Sequence, residues 1–283
     1  MENNEKKQIQ EELRAYCARF GSQSKAANSL GVSPATITQV LKENWDLISD
    51  EMWRGIASRV RPTTREWVAV QTENYKLLTR LLEDAREYSN VFAVCGDAGT
   101  GKSFTIRRFA EDNKRVHVLQ CNEYWNRKMF MQELLSTMGK DHNGYTVGEM
   151  MSEVVRGLKK EDHPLIVMDE ADKLTDQVMY FFITLYNQLE EHCGIVMCAT
   201  DHLEKRIRRG LKLNKKGYKE IYSRIGRKFV ELEGVTTADI ASICVNNGID
   251  DRKAIREVVE DSEFDLRRVK RKIHAIKQRA ASI

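Results

Sequence analysis

One octapeptide constrains this chain more than anything else in it. Gly96-Asp97-Ala98-Gly99-Thr100-Gly101-Lys102-Ser103 fits the pattern G-x-x-x-x-G-K-[ST]. It stands between an apolar run, Val91 to Cys95, and a segment that reads as a helix. A strand, a glycine loop and a helix in that order form a phosphate cradle. The glycines let the backbone curl with its N–H groups turned inward, and the helix N-terminus adds its positive end. Lys102 is placed to reach the β- and γ-phosphates, and the Ser103 hydroxyl to ligate Mg²⁺. Phe104 continues the cofactor-binding run into the first helical turn. ATP and Mg²⁺ are the expected cofactors.

A second element agrees with the first. Pro164-Leu165-Ile166-Val167-Met168-Asp169-Glu170 is a buried-strand run that ends in two carboxylates. Asp169, at the strand end, is placed to hold Mg²⁺, and Glu170 to orient and deprotonate an attacking water. Between Trp67 and Leu232 further apolar runs alternate with helical patterns. The expected strands are 90–95, 115–120, 164–169, 194–199 and 228–232. Strands alternating with helices indicate an α/β fold around a five-stranded parallel sheet. Leu78, Leu81, Leu82 and Ala85 recur at i, i+3, i+4 and i+7, a helix face ahead of the first strand. From 235 to 283 the pattern is helical again, with Leu266, Val269, Ile273, Ile276 and Ala280 forming a stripe along the last helix.

The chain divides into residues 1–58, an all-helical N-terminal domain; 59–66, a linker marked by Pro62; 67–234, the α/β core; and 235–283, a small helical lid. In the first part, Gln23 to Ser33 reads as a helix, a tight turn at Gly31 and the start of a second helix. Ser33 is its cap and Pro34 its first residue. Ile37, Val40 and Leu41 face inward, leaving Ser33, Ala35, Thr36, Thr38, Gln39 and Lys42 on the open side. The pattern resembles the helix-turn-helix domains of phage-repressor type, in which such side chains meet bases and phosphates. A helical protein-docking module is the alternative reading of the same segment.

Composition narrows the class. Hydrophobic residues make up 41% and charged residues 31% of 283 residues, and there is no apolar stretch of bilayer length. The first residues lack the apolar core of a signal peptide, and six scattered cysteines without a C-x-x-C pair suit buried thiols. A cytoplasmic protein is the expectation. The net charge of +4 is mild but uneven. Residues 204–228 carry eleven Lys or Arg against two Glu, and 264–283 carry seven against one Asp. Such density favours an anionic partner over that of a neutral surface.

From Trp67 onward the chain resembles the AAA+ ATPases. The loop and Asp169-Glu170 take the places of the family's Walker A and Walker B elements. Gly194 to Thr200 is similar to the strand that ends in the sensor 1 residue, with Thr200 where the family more often has Asn. Ile221-Tyr222-Ser223-Arg224-Ile225-Gly226-Arg227 is similar to the box whose arginine reaches a neighbouring subunit's γ-phosphate. This implies a catalytic role in trans for Arg224, with Arg206, Arg208, Arg209 and Arg227 as rivals. Phe264-Asp265-Leu266-Arg267-Arg268 is similar to sensor 2 and implies a phosphate contact for Arg267.

A helix-turn-helix ahead of a compact AAA+ core and a small lid further resembles the target-selecting transposition ATPases of phage Mu and of Tn7-type transposons. That resemblance implies helical homo-oligomers on duplex DNA and a DDE-type transposase as partner; the want of a bilayer-length apolar run makes no membrane partner the expectation. It also implies DNA contacts after the second strand, where Arg127 and Lys128 are the candidates. A replication initiator or helicase loader, and an ATP-switched transcriptional regulator, share these motifs. The chain lacks the aromatic-glycine pore motif of substrate-threading unfoldases.

Overall fold

The computed structural model describes residues 3–60 and 67–281. In chain order, α1 (Asn3–Phe20), α2 (Gln23–Leu30), α3 (Pro34–Leu41) and α4 (Asp50–Val60) precede α5 (Glu73–Tyr88), β1 (Val91–Cys95) and α6 (Lys102–Asp112). Then come β2 (Val116–Gln120), α7 (Arg127–Thr137), α8 (Val147–Leu158), β3 (Leu165–Asp169), α9 (Asp176–Leu189) and β4 (Gly194–Ala199). The chain ends with α10 (Asp201–Lys212), α11 (Tyr218–Arg224), β5 (Val230–Glu231), α12 (Thr237–Asn246), α13 (Arg252–Ser262) and α14 (Leu266–Ala281).

Two compact units result. The first joins the helices of 3–60 with 126–162, and the second holds 67–125 and 163–281. Helices α7 and α8, which the sequence reading counts with the α/β core, thus group with the N-terminal helices. Of the expected linker, Arg59 and Val60 complete α4, because Val60 is buried against Trp53 and Ile56 in the same apolar cluster. Residues 61–66 lie outside the described residues.

In the first unit, Ile9 and Leu13 of α1 meet Ala26, Ala27, Leu30, Ile37, Val40 and Trp53 in one core. Small alanines at 26 and 27 let α1, α2 and α3 approach closely. Helix α2 stops at Gly31, whose φ of 66° turns the chain, and α3 starts where the Ser33 hydroxyl accepts from the Thr36 N–H at 3.0 Å. This is the helix–turn–helix geometry expected from the sequence. Asn28 of α2 donates to the Gly139 carbonyl just beyond α7, at 3.3 Å, so α7 belongs to this module's packing.

In the second unit, five parallel strands lie in the order β2-β3-β4-β1-β5. β3 and β4 are buried along their whole lengths, which explains their unbroken apolar sequence. β5 is shorter than the 228–232 expected, since only Val230 and Glu231 pair with β1. Leu78, Leu82 and Ala85 of α5 and Ile106 and Phe109 of α6 cover the sheet. The last helices form their own cluster around Ile240, Ile243, Val258, Val269 and Ile273. Trp67 and Val70 pack on that cluster, and Val68 exchanges two backbone bonds with the Asn247 side chain at 2.9 and 3.1 Å. The first residues of the expected core therefore belong with the lid, because their apolar side chains find its surface and not the sheet. No described helix is long and apolar enough to cross a membrane.

Candidate nucleotide site

The strand order brings the C-terminal ends of β1, β3 and β4 side by side, and the loops that follow them hold the expected chemistry. After β1 the Gly96 N–H donates to Ala199 at the end of β4, at 3.1 Å. Asp97 and Ala98 form the loop's outer turn, and the Thr100 hydroxyl donates to the Asp97 carbonyl at 2.8 Å. Gly99 and Gly101 have φ of 83° and 94°. Lys102 and Ser103 then open α6.

The Lys102 ammonium lies inside the loop, 2.5 Å from the Gly96 carbonyl, 2.7 Å from that of Asp97 and 3.4 Å from the Thr100 hydroxyl. Burial lowers its pKa from the ordinary lysine value, while Cys198, Asp169 and Asp172 act against that. A cation held among carbonyl oxygens at the mouth of a helix is suited to phosphate oxygens.

Asp169 is 4% exposed. Burial raises its pKa from the ordinary carboxylate value, opposed chiefly by a hydrogen bond from the Ser103 hydroxyl and by the Glu170 N–H at 3.0 Å. The two expected Mg²⁺ ligands are thus neighbours, both hard oxygen donors. A buried carboxylate is costly unless a cation compensates it. The donor set therefore fits Mg²⁺, with Ser103 and Asp169 as the residues that would hold it. Mg²⁺ there would neutralise charge developing on the phosphates.

Glu170 has φ 58° and ψ 40°, a left-handed conformation uncommon for a side-chain-bearing residue. This breaks the β3 direction and brings Glu170 into the cavity lining while Asp169 stays buried. Its carboxylate is held by Lys173 at 2.8 Å. Thr200, at the end of β4, donates from its hydroxyl to the Asp172 carboxylate at 2.7 Å. Asp172 therefore links the end of β4 to the turn after β3.

Of these groups, Lys102, Ser103 and Glu170 border a cavity of about 270 Å³. Gly99 to Thr105, including Phe104, form one wall, and Arg267, Arg107 and Lys270 add cations to Lys102. Trp67, Val70, Tyr75 and Ile243 supply an apolar side. The lining is part cationic and part apolar and aromatic, a pairing suited to a nucleoside phosphate. Lys270 lies over the Trp67 ring, 5.5 Å from its centroid. The lid is tied directly to the loop, because the Leu266 N–H donates to the Gly99 carbonyl at 3.0 Å. A Cβ on Gly99 would lie 2.5 Å from Asp265 Cγ and 3.0 Å from its Cα. Gly99→Ala is expected to destabilise the unit by about 1–3 kcal/mol, through strain at positive φ and displacement of Asp265, and thermal unfolding measures it.

The arginine rivals separate. Arg206 is internal, donating to the Leu174 carbonyl and to Asp176, both at 2.5 Å, and Arg208 pairs with Glu204 at 2.5 Å. Arg224 lies over the Tyr186 ring at 4.9 Å and donates to Asn187 at 3.1 Å. Arg209 and Arg227 are exposed.

The candidate DNA residues all fall in the first unit. Ser33 and Thr36 share a hydroxyl hydrogen bond at 2.8 Å, and Thr38 donates to Pro34 and Gln23. Gln39 is half-buried and Lys42 exposed on the same helix–turn–helix. Arg127 and Lys128 are exposed at the start of α7, whose N-cap Asn126 accepts from two backbone N–H groups. The sequence reading missed Trp67, Val70, Tyr75, Ile243, Lys270 and Asp172. Asp172 alone carried a signal, three residues after Asp169.

Residues 85–207, less than half of the chain, match a family model described as an AAA domain. The match takes in the glycine loop, Asp169-Glu170 and β4, and it supports an ATP-hydrolysing ATPase of AAA+ type. No curated protein matches the chain.

Proposed function

We propose that this protein is an ATP-dependent, largely non-specific duplex-DNA-binding ATPase that assembles into helical filaments and captures target DNA. In this reading it stimulates a DDE-type transposase, and hydrolysis of bound ATP drives disassembly. The observation that carries it is the pairing of a lid-linked nucleotide cavity in one unit with a capped helix–turn–helix in the other. A nucleotide-binding unit alone has no need of α2 and α3. Assembly multiplies weak phosphate contacts by avidity, so modest affinity per subunit suffices.

Within the reading, Lys102, Glu170, Thr200, Arg224 and Arg267 serve hydrolysis. Lys102 and Arg267 bind phosphate, Glu170 takes the water's proton, and Arg224 completes a neighbour's site. The role of Arg224 requires it to leave Tyr186 and Asn187, and Arg227 is the exposed comparison. Arg224→Ala is expected to lower protein-concentration-dependent ATPase activity at least about tenfold, with nucleotide binding retained. The same loss in Arg227→Ala, with Arg224→Ala active, transfers the role to Arg227.

The reading is tested by negative-stain electron microscopy with random-sequence duplex DNA in ATP and in ADP. Filaments along DNA in ATP that are absent in ADP are the expected result. Isolated rings, or assembly only on one particular site, would overturn it in favour of a loader or a site-specific regulator.

A further inference from the structure

Residues 205–219 contain eight Lys or Arg and no acidic residue. They form most of α10, the turn after it and the start of α11. The fold divides these cations into two groups. Lys205 pairs with Asp201, Arg208 with Glu204 and Arg206 with Asp176, while Lys215 lies 3.6 Å from Asp176. Arg209, Lys212, Lys216 and Lys219 are exposed, and no carboxylate among the described residues pairs with them. Leu213, 58% exposed, stands between them.

This elbow is braced from inside. Tyr218 is buried, donates its hydroxyl to Asp176 at 2.8 Å and receives the Arg206 Nε–H at 3.2 Å. The Tyr218 ring lies so close to Gly210 that a Cβ there would stand 2.2 Å from it. Gly217 meets the Tyr180 ring at 2.5 Å in the same sense. Two helices that touch through glycine and aromatic rings have little freedom to swing, so the cations are held in a fixed array.

Helix electrostatics accounts for only half of the array. Arg209 and Lys212 stand in the last turn of α10, where cations are favourable. Lys216 and Lys219 stand just before and within the first turn of α11, where cations are unfavourable. Four like charges without an ion-pair partner also repel one another, with Glu220 the single acidic residue in the first turn of α11. An external polyanion removes both costs.

We propose that the α10–α11 elbow docks the phosphate backbone of duplex DNA. The proposal rests on the duplex-binding part of the function above, but it assigns a surface apart from the recognition helix α3 and the start of α7. Arg209, Lys212, Lys216 and Lys219 contact phosphates, and the contact carries no base sequence.

The test compares the full-length protein with a Lys212→Gln/Lys216→Gln double variant. Binding to a random-sequence duplex is measured in ATP across a salt series. Each lost phosphate contact makes the slope of log K against log salt shallower by about 0.9, so a change of roughly 1.8 is expected. Nucleotide binding and thermal unfolding should stay unchanged, since both side chains are exposed. An Arg127→Gln/Lys128→Gln variant measured alongside reads the α7 contacts separately. An unchanged slope in the elbow variant overturns the proposal, while duplex binding by the parent chain leaves the functional reading intact. Loss of DNA-free self-association at an unchanged slope overturns it too, and assigns the elbow to a second copy of the chain. Failure of the parent chain to bind any duplex overturns both.

Discussion

Glu170→Gln is expected to hydrolyse ATP about 10²–10⁴-fold more slowly than the parent chain at a similar KM. The geometry sets this apart from an ordinary surface substitution. Two carboxylates end β3, but they stand in different surroundings. Asp169 is 4% exposed and lies beside Ser103, a place for the metal and not for the attacking water. Glu170 follows it in a left-handed conformation and lines the cavity beside Lys102 and Arg267. Glutamine keeps the shape and hydrogen-bonding reach but cannot take a proton, so binding survives and turnover does not. The ion pair with Lys173 is partly exposed, a kind that contributes about 0–1 kcal/mol, so its loss leaves folding intact. In the reading proposed here, complexes of this variant with DNA outlast those of the parent chain in ATP. Steady-state kinetics decides the matter, and turnover close to that of the parent removes Glu170 from the chemistry.

Lys102→Ala is expected to weaken MgATP binding about 10²-fold. That corresponds to roughly 3 kcal/mol, the upper end of a hydrogen bond to a charged group. Its ammonium is the cation closest to the loop interior, within 2.7 Å of two carbonyl oxygens, and the neighbouring N–H groups carry only partial charges. Alanine leaves those carbonyls to repel phosphate. The loop keeps its shape, since Gly96 remains bonded to Ala199 and Gly99 to Leu266. Isothermal titration with MgATP gives the affinity, and thermal unfolding shows that the loop is intact. Parent-like affinity would mean that phosphate is held elsewhere. In the function proposed here, ATP-dependent assembly on DNA fails in the same variant.

Much of this was legible in the sequence, for a local reason. Glycines at 96, 99 and 101 ahead of Lys102-Ser103, and an apolar strand ending in Asp169-Glu170, encode their conformations within a few residues. The cap at Ser33-Pro34 and the turn at Gly31 are local in the same way, so the helix–turn–helix was readable too. Continuous burial of β3 and β4 wrote itself as unbroken apolar runs.

What the tertiary structure alone decided depends on contacts between distant segments. Trp67 and Ile243 meet across more than half the chain, and no period or motif relates them. Asp172 and Thr200 become partners only because β3 and β4 lie side by side. Grouping α7 and α8 with the N-terminal helices reverses the expectation that a segment between two strands belongs with the sheet. Among the arginines, Arg206 and Arg209 are alike in a sequence, three residues apart in one basic helix. Asp176 and the buried Tyr218 claim the first and leave the second in solvent, because a helix turns 100° per residue and only the fold determines which side meets the core.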